Sequence, residues 1–308
     1  MNRIPTIGLG TWKSPRSEDL VNAITYAIKE AGYVHIDCAL CYENEDIVGQ
    51  ALQQCWDSGI KRENIWITSK LWNTHHRLEI VEEACRKTLK DLRLDYLDLY
   101  LMHYPFAFQN TGIGGSLNPL DEKGNTIFDD GVSLIDTWKA MEKLVEKGLV
   151  KRIGVSNWTI NQLERLKYSD AKTTPYTNQV EFNLYMQQGP LREYMHKEGI
   201  IVTGYSTLGT PDWAKPDEPV VLKDEELNKI AAETGKSVGE VELKFLLTIE
   251  PGASLLAKSV TPERIYKNNH LDFELTKDQI QRLRNRERFY RYVDPRKTWK
   301  RDGNGDGW

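Results

Sequence analysis

An α/β barrel of eight strand-helix repeats is the fold class this sequence predicts, on three observations. Short apolar runs alternate with longer amphipathic stretches, and eight such runs can be counted along the 308 residues. The runs are nearly continuous in apolar character, as strands of a parallel sheet covered on both faces must be. Polar or ionisable residues close most of them, at the ends where barrels of this kind place their chemistry. An open, doubly wound sheet is the alternative. Against it, no G-x-G-x-x-G occurs: Gly8-Leu-Gly10 continues Thr-Trp-Lys, and Gly112-Ile-Gly114-Gly115 lacks the final glycine.

In chain order the predicted strands are Thr6 to Leu9, Val34 to Asp37, Ile65 to Lys70, Leu97 to Met102, Arg152 to Ser156, Thr177 to Glu181, Ile200 to Tyr205 and Ala253 to Ala257. Between them lie helical patterns. The clearest is Val81, Ala84, Cys85, Thr88, Leu89 and Leu92, which puts one apolar stripe against a sheet. Ser17 before Glu18 and Asp19 is an N-cap with acidic first-turn residues, and Gly32 is a stop for the same helix. The segment Phe106 to Gly131, rich in Gly and Asn, is a long loop after strand 4, and a loop that long usually covers a site. No composition shift marks a boundary. Residues 1–308 therefore read as one (β/α)8 TIM barrel domain, an architecture that needs roughly 250 residues and can bury about three quarters of its extended surface.

Lys and Arg number 41 against 45 Asp and Glu, a net charge of −4, which gives no electrostatic reason to expect nucleic acid or an anionic membrane. The N-terminus lacks a signal-peptide pattern and no apolar run approaches ~18 residues. Four cysteines, Cys38, Cys41, Cys55 and Cys85, are too few for a disulfide framework in a chain of this length, and a reduced, cytoplasmic setting is expected.

The strand ends carry the candidate chemistry. Asp37 ends the second strand, Lys70 the third, His103 follows the fourth, Ser156 and Asn157 close the fifth, Gln179 lies on the sixth and Tyr205 ends the seventh. A buried lysine needs an opposite charge nearby, and Asp37 on the adjacent strand supplies it. Lys70 then stays charged beside the phenol of Tyr42, which is expected to lower the phenol's pKa and make it a better acid near neutral pH. His103 could hold a carbonyl oxygen. Such a set protonates an oxygen while something else attacks its carbon.

After strand eight comes Lys258-Ser-Val-Thr261-Pro-Glu-Arg264, with Thr261 as N-cap and Pro262 at the first helical position. Two readings stand here: an anion site at a helix N-terminus flanked by Lys258, Ser259 and Arg264, or an ordinary capped helix with solvated charges.

With these residues in view, the chain resembles an aldo-keto reductase of the aldose and aldehyde reductase type. The likeness covers nearly the whole chain. It runs through Gly8-Leu-Gly-Thr11-Trp12-Lys13, Asp37 to Glu45, Ser69-Lys70-Leu-Trp72, Leu94 to Asp98 and on to His103, Gly154-Val-Ser156-Asn157, Asn178-Gln179-Val-Glu181, Tyr205-Ser206 and Lys258 to Arg264. The resemblance implies a catalytic tetrad of Asp37, Tyr42, Lys70 and His103, with hydride delivered from NADPH to a carbonyl carbon and Tyr42 as general acid. It implies that Tyr205 stacks on the nicotinamide, that Ser156, Asn157 and Gln179 hold its carboxamide, and that Lys258, Ser259 and Arg264 meet the 2′-phosphate. Asp212 would bridge to the lysine over the cofactor, and Thr11, Trp12, Ser206, Leu208, Val260, Thr261 and Asn268 would complete the cofactor contacts. Trp12, Trp72, His103 and Tyr104 would line the substrate pocket, although core packing also explains Trp72. The C-terminal tail would fold over the barrel mouth.

The departures bear on cofactor and substrate. Lys267 stands where the family commonly has an acid near the adenine, which leaves NADH open beside NADPH. Asn183-Leu184 replaces a common His-Pro, Ala257 a usual proline, and Tyr104 a frequent Trp. The N-terminal hairpin that plugs many family barrels is absent or shortened.

Other signals read as structural. Cys38-x-x-Cys41 lacks a second pair and is assigned to packing, and His75-His76 to a loop surface, so no metal is expected. Asp302-Gly-Asn304-Gly-Asp306 opens like a calcium loop but the sequence ends before the bidentate acid. The segment Arg282 to Arg301, with Phe289, Tyr290, Tyr292 and Trp299, is read as pocket wall rather than a nucleic-acid surface. The expected activity is NADPH-dependent reduction of small aldehydes or aldoses. A nicotinamide-binding regulatory or structural barrel is the alternative, and a metal-dependent hydrolase lacks its ligand spacing.

Overall fold

The structure, a computed structural model, describes residues 2–210 and 217–300. Its strands are β1 (Ile7–Gly10), β2 (His35–Asp37), β3 (Trp66–Leu71), β4 (Leu99–Met102), β5 (Ile153–Ser156), β6 (Thr177–Glu181), β7 (Ile201–Tyr205) and β8 (Ser254–Ala257). Each pairs in parallel with the next. β1 also pairs with β8, at Ile7↔Leu255, Gly8↔Leu256 and Leu9↔Ala257, so the sheet closes and the open-sheet alternative falls. All the boundaries lie within two residues of those expected.

The helices are α1 (Glu18–Lys29), α2 (Glu45–Asp57), α3 (Val81–Leu92), α4 (Leu134–Glu146), α5 (Ile160–Lys167), α6 (Gly189–Lys197), α7 (Glu225–Thr234), α8 (Val238–Ile249), α9 (Pro262–Asn269), α10 (Lys277–Arg284) and α11 (Pro295–Trp299). Ser17 caps α1 by accepting from the Asp19 amide at 3.3 Å. α3 buries the stripe its spacing predicts, Val81 through Leu92. α2 crosses it so closely that a Cβ on Gly49 would fall 2.3 Å from the Asp91 carbonyl oxygen.

Among the described residues no strand precedes β1. A separate apolar cluster of Ile4, Trp66, Leu99 and Leu101 fills the lower barrel instead. Trp66 stacks on Tyr176 at 5.9 Å, and the Ile4 amide donates to the Tyr176 hydroxyl at 3.0 Å. At the other end, the loop after β4 is stiffened by antiparallel bridges at Phe108↔Phe128 and Leu120↔Thr126. α11, in the tail, brings Trp299 onto the same face.

Candidate active site

Lys70 points into the barrel mouth from β3 with no exposed surface, and all three of its N–H donors are used. They reach Asp37 Oδ1 at 2.6 Å, the Cys38 carbonyl at 2.7 Å and Tyr42 Oη at 3.1 Å. A single 3-10 turn, Leu40–Tyr42, carries the phenol; it follows β2 directly and ends at Glu43 with φ 54°. Asn44 fastens that turn to β1 by donating to the Thr11 carbonyl at 2.9 Å, and the Thr11 hydroxyl donates to the Asp37 carbonyl at 2.9 Å. From across the barrel, Gln179 Nε2 donates to Asp37 Oδ2 at 2.9 Å. The carboxylate thus has a partner for each oxygen.

His103 follows β4. Its ring stands edge-on to Tyr42 at 6.0 Å and to Trp72 at 5.1 Å, and stacks on Tyr104 at 5.2 Å. Burial, and then the charge of Lys70, hold its pKa well below the usual imidazole range, so the ring is neutral.

The expected effect of Lys70 on Tyr42 is not what the site gives. Burial first, and the Asp37 carboxylate second, raise the phenol well above its ordinary value of 10.0. The carboxylate paired with Lys70 lies close enough to act on the phenol in the same direction as its loss of hydration. Tyr42 is therefore held firmly protonated. Asp37 is itself raised by burial, against the opposing pull of Lys70.

The β5 to β7 ends form a second hydrogen-bonded group. Ser156 Oγ donates to the Gln179 carbonyl at 2.7 Å, Asn157 Nδ2 to the His103 carbonyl at 3.0 Å, and the Tyr205 hydroxyl to Asn157 Oδ1 at 2.7 Å. Asn157 takes a left-handed φ of 63°, which its short polar side chain tolerates. Beyond β8, α9 starts at Thr261 and Pro262 as predicted, but the Thr261 side chain makes no capping bond. Its amide instead donates to Ser259 Oγ at 3.1 Å. Arg264 is exposed on the first turn, Val260 is exposed beside it and Asn268 is buried on the inner face of α9. Ser206 and Leu208 are half-buried after β7. Asp212 and the Asp302 to Asp306 motif lie outside the described residues.

Trp72, Tyr104, Phe106 and Phe108 form an apolar wall around His103, with Cys41, Leu117, Phe128 and Trp299 packed on it. Trp72 donates its indole N–H to the Leu117 carbonyl at 2.6 Å, which ties the long loop to the end of β3. The ring of Trp12 lies 6.5 Å from that of Tyr42. Of the tail aromatics, Trp299 reaches this wall, 4.9 Å from Tyr104, whereas Phe289 is 77% exposed and Tyr292 bonds the Pro219 carbonyl instead. A groove of about 570 Å³ runs beside the mouth between α5, α6 and the tail, and Asn157 is common to both.

Three further side chains differ from expectation. His75 and His76 are 1% exposed rather than on a loop surface, because the turn after β3 folds inward beneath the long loop. Cys38 and Cys41 are both packed as expected, Cys41 against the wall at the mouth with Sγ 3.5 Å from His103 Nδ1. Glu45, which carried no assigned role, is buried in the first turn of α2. It accepts from Ser69 Oγ at 2.5 Å and Thr88 Oγ1 at 3.0 Å, and burial pushes it up to about 7. Its place one residue after the Asn44 cap was the available signal. For Phe106 and Phe108 it was the apolar spacing directly after Tyr104-Pro105.

A closed parallel barrel with a lysine, a carboxylate, a phenol and an imidazole gathered at the C-terminal ends of β2 to β4 defines an oxidoreductase barrel. The chain belongs to the aldo/keto reductase family, whose model matches residues 6–287. It is 44% identical to aldo-keto reductase family 1 member A1 of Gallus gallus over 301 residues, 96% of this chain and 89% of that one. The Homo sapiens protein of the same name is 40% identical, over 96% and 90% of the two chains. Among solved structures, aldose reductase from Giardia lamblia matches with a TM-score of 0.89 and 39% identity over 97% of this chain and 98% of that one. Aldose reductase from Schistosoma japonicum gives 0.85 and 39%, over 94% and 91%.

Among the described residues no helix is long and apolar enough to cross a membrane, and no cluster of three or more His, Cys, Asp or Glu could hold a metal ion.

Proposed function

We propose that this chain reduces small aldehydes and open-chain aldoses to alcohols with NADPH, using Tyr42 as general acid. One observation carries the reading: a buried lysine joins a carboxylate at 2.6 Å to a phenol at 3.1 Å beside a neutral imidazole. That is a proton donor with a cation ready for the charge it leaves behind.

The residues present fit a nicotinamide dinucleotide phosphate. At one end, the Thr261 side chain leaves the N-terminus of α9 uncapped, and exposed Arg264 stands beside Ser259 and Lys258. Helix amides and a guanidinium are the donors a 2′-phosphate needs. At the other, half-buried Tyr205 offers an aromatic face next to the amide and hydroxyl groups of Ser156, Asn157 and Gln179, which would hold a carboxamide. Thr11, Trp12, Ser206, Leu208, Val260, Thr261 and Asn268 would complete the contacts, with Asp212 assigned the bridging role. Lys267 lies beside Glu263 at 2.6 Å on the surface of α9, and with Lys258, Ser259 and Arg264 assigned to a 2′-phosphate, NADPH is the cofactor favoured over NADH.

When bound, the cofactor supplies the hydride that no side chain can supply. The chain does the rest. Trp12, Trp72 and Tyr104 hold the substrate's carbon frame and keep water away. His103 donates a hydrogen bond to the carbonyl oxygen and fixes its direction. Tyr42 gives its proton to that oxygen as negative charge builds there. Lys70 then donates to the phenolate while paired with Asp37, which Gln179 holds in turn. The phenol's raised pKa keeps the proton in place until an oxygen basic enough to take it appears.

The direct test follows NADPH absorbance with glyceraldehyde, xylose and small aldehydes, in wild type and Tyr42→Phe. Turnover is expected, and the variant should lose roughly 10²–10⁴-fold in kcat. An unaffected variant rules out the assigned acid. Tight quenching of tryptophan fluorescence by NADPH with no carbonyl reduced would leave a binding protein instead.

A further inference from the structure

A neutral imidazole carries hydrogen on one ring nitrogen only, and which nitrogen it is decides whether the ring can donate to a substrate. His103 is such a ring, with Nδ1 3.5 Å from Cys41 Sγ and Nε2 without a hydrogen bond among the described residues. Cys41 belongs to the same 3-10 turn that delivers Tyr42 and rests against the wall of Trp72 and Tyr104. Its thiol is raised far above the ordinary value by burial, so it keeps its hydrogen and is neither a nucleophile nor a metal ligand. A thiol is a weak donor and its sulfur a weak acceptor, and the basic ring nitrogen is the stronger acceptor of the two atoms, which favours S–H donating to Nδ1.

We propose that Cys41 is a positioning residue for His103: its S–H donates to Nδ1, which places the ring hydrogen on Nε2, free to meet the carbonyl oxygen. The importance of this for turnover rests on the reductase reading above. The tautomer itself does not. Without the thiol the two tautomers compete, and the fraction of enzyme able to donate from Nε2 falls. Stacking on Tyr104 and the edge of Trp72 hold the plane of the ring but do not choose its hydrogen.

The test is a long-range proton-nitrogen correlation spectrum of the full chain labelled at its six histidines, with His103 assigned from the signal lost in His103→Gln. Wild type should show His103 Nδ1 as a bare acceptor nitrogen and Nε2 as protonated. Cys41→Val, close in volume and without a donor, should show mixed or reversed tautomers, and Cys41→Ala the same. Both variants should lose about fivefold in kcat for glyceraldehyde with KM for NADPH unchanged. A wild-type ring protonated at Nδ1, or a pattern unaltered in both variants, overturns the proposal whatever the turnover. A wild type that reduces no carbonyl but shows the expected spectra leaves the tautomer assignment standing and removes the reductase reading.

Discussion

Lys70 and Asp37 form an ion pair at 2.6 Å whose side chains are 0% and 2% exposed. Neither charge can be hydrated if the other is removed. Breaking a buried pair from one side costs about 3–5 kcal/mol, whereas removing both sides is close to neutral. Asp37→Asn and Lys70→Met should each lower the urea midpoint clearly. The double variant should recover most of that loss while remaining inactive. Urea titrations of the three proteins check this, and a double variant as unstable as the two losses summed would show that the pair is not coupled.

Glu242 on α8 is fully buried, accepts from the Leu184 amide at 2.8 Å, and is pushed up to about 8 by burial. Its ordinary value is 4.5, so between the two the native state keeps a proton that the unfolded state has lost, and rising pH favours unfolding. Stability is expected to fall through this window by up to about 1.4 kcal/mol per pH unit from this group. Glu45 acts in the same sense up to about 7. Glu242→Gln should flatten the slope between pH 5 and 8, read as unfolding midpoints of variant and wild type across that range.

Where α2 crosses α3, Gly49→Ala should destabilise by about 1–3 kcal/mol, because the added methyl meets backbone of residues 91 and 92 rather than a movable side chain. Thermal melts decide it. A melting temperature within a degree of wild type, together with unchanged activity, would mean that the helices can part without penalty.

Arg264→Ala should weaken NADPH roughly tenfold or more and leave NADH unchanged, the loss of a charge-assisted bond to phosphate being worth about 1.5–3 kcal/mol. Lys267→Ala should change neither by more than about twofold, since Lys267 forms a solvent-exposed pair with Glu263. Fluorescence titrations with both cofactors measure the four constants.

Trp299 touches Trp72, Tyr104, Phe106 and Phe108 at ring distances between 4.9 and 6.1 Å. Trp299→Ala should raise KM for aromatic aldehydes several-fold and spare glyceraldehyde. Steady-state kinetics with a benzaldehyde and glyceraldehyde pair separate the two, and an equal change for both would place Trp299 outside the substrate wall.

Strand positions were legible because each apolar run is bounded by polar residues, and closure at eight strands brings Asp37, Lys70 and His103 to one rim without further information. What the chain could not reveal depends on depth and on contacts far apart in sequence. The raised phenol of Tyr42 follows from its burial and from the carboxylate of Asp37, and no residue order states how deep the phenol lies. Cys41 and His103 meet across 62 positions, so neighbouring residues carry no trace of their contact. Trp299 reaches Trp72 from the far end of the chain, while Phe289, ten residues before it and equally aromatic, points into solvent.

The seam between β1 and β8 joins residues some 250 positions apart, and Ser254 Oγ donates across it to the Pro5 carbonyl at 2.7 Å. β1 leaves the ribosome well before β8, so Asp37, Tyr42, Lys70 and His103 emerge while the first strand still has an unpaired edge. Pairing over such a separation is slow and waits for the last strand. During synthesis the residues at the ends of β2 to β4 therefore exist as sequence long before they share a geometry, and the edge of Ile7–Gly10 stays unpaired until β8 arrives.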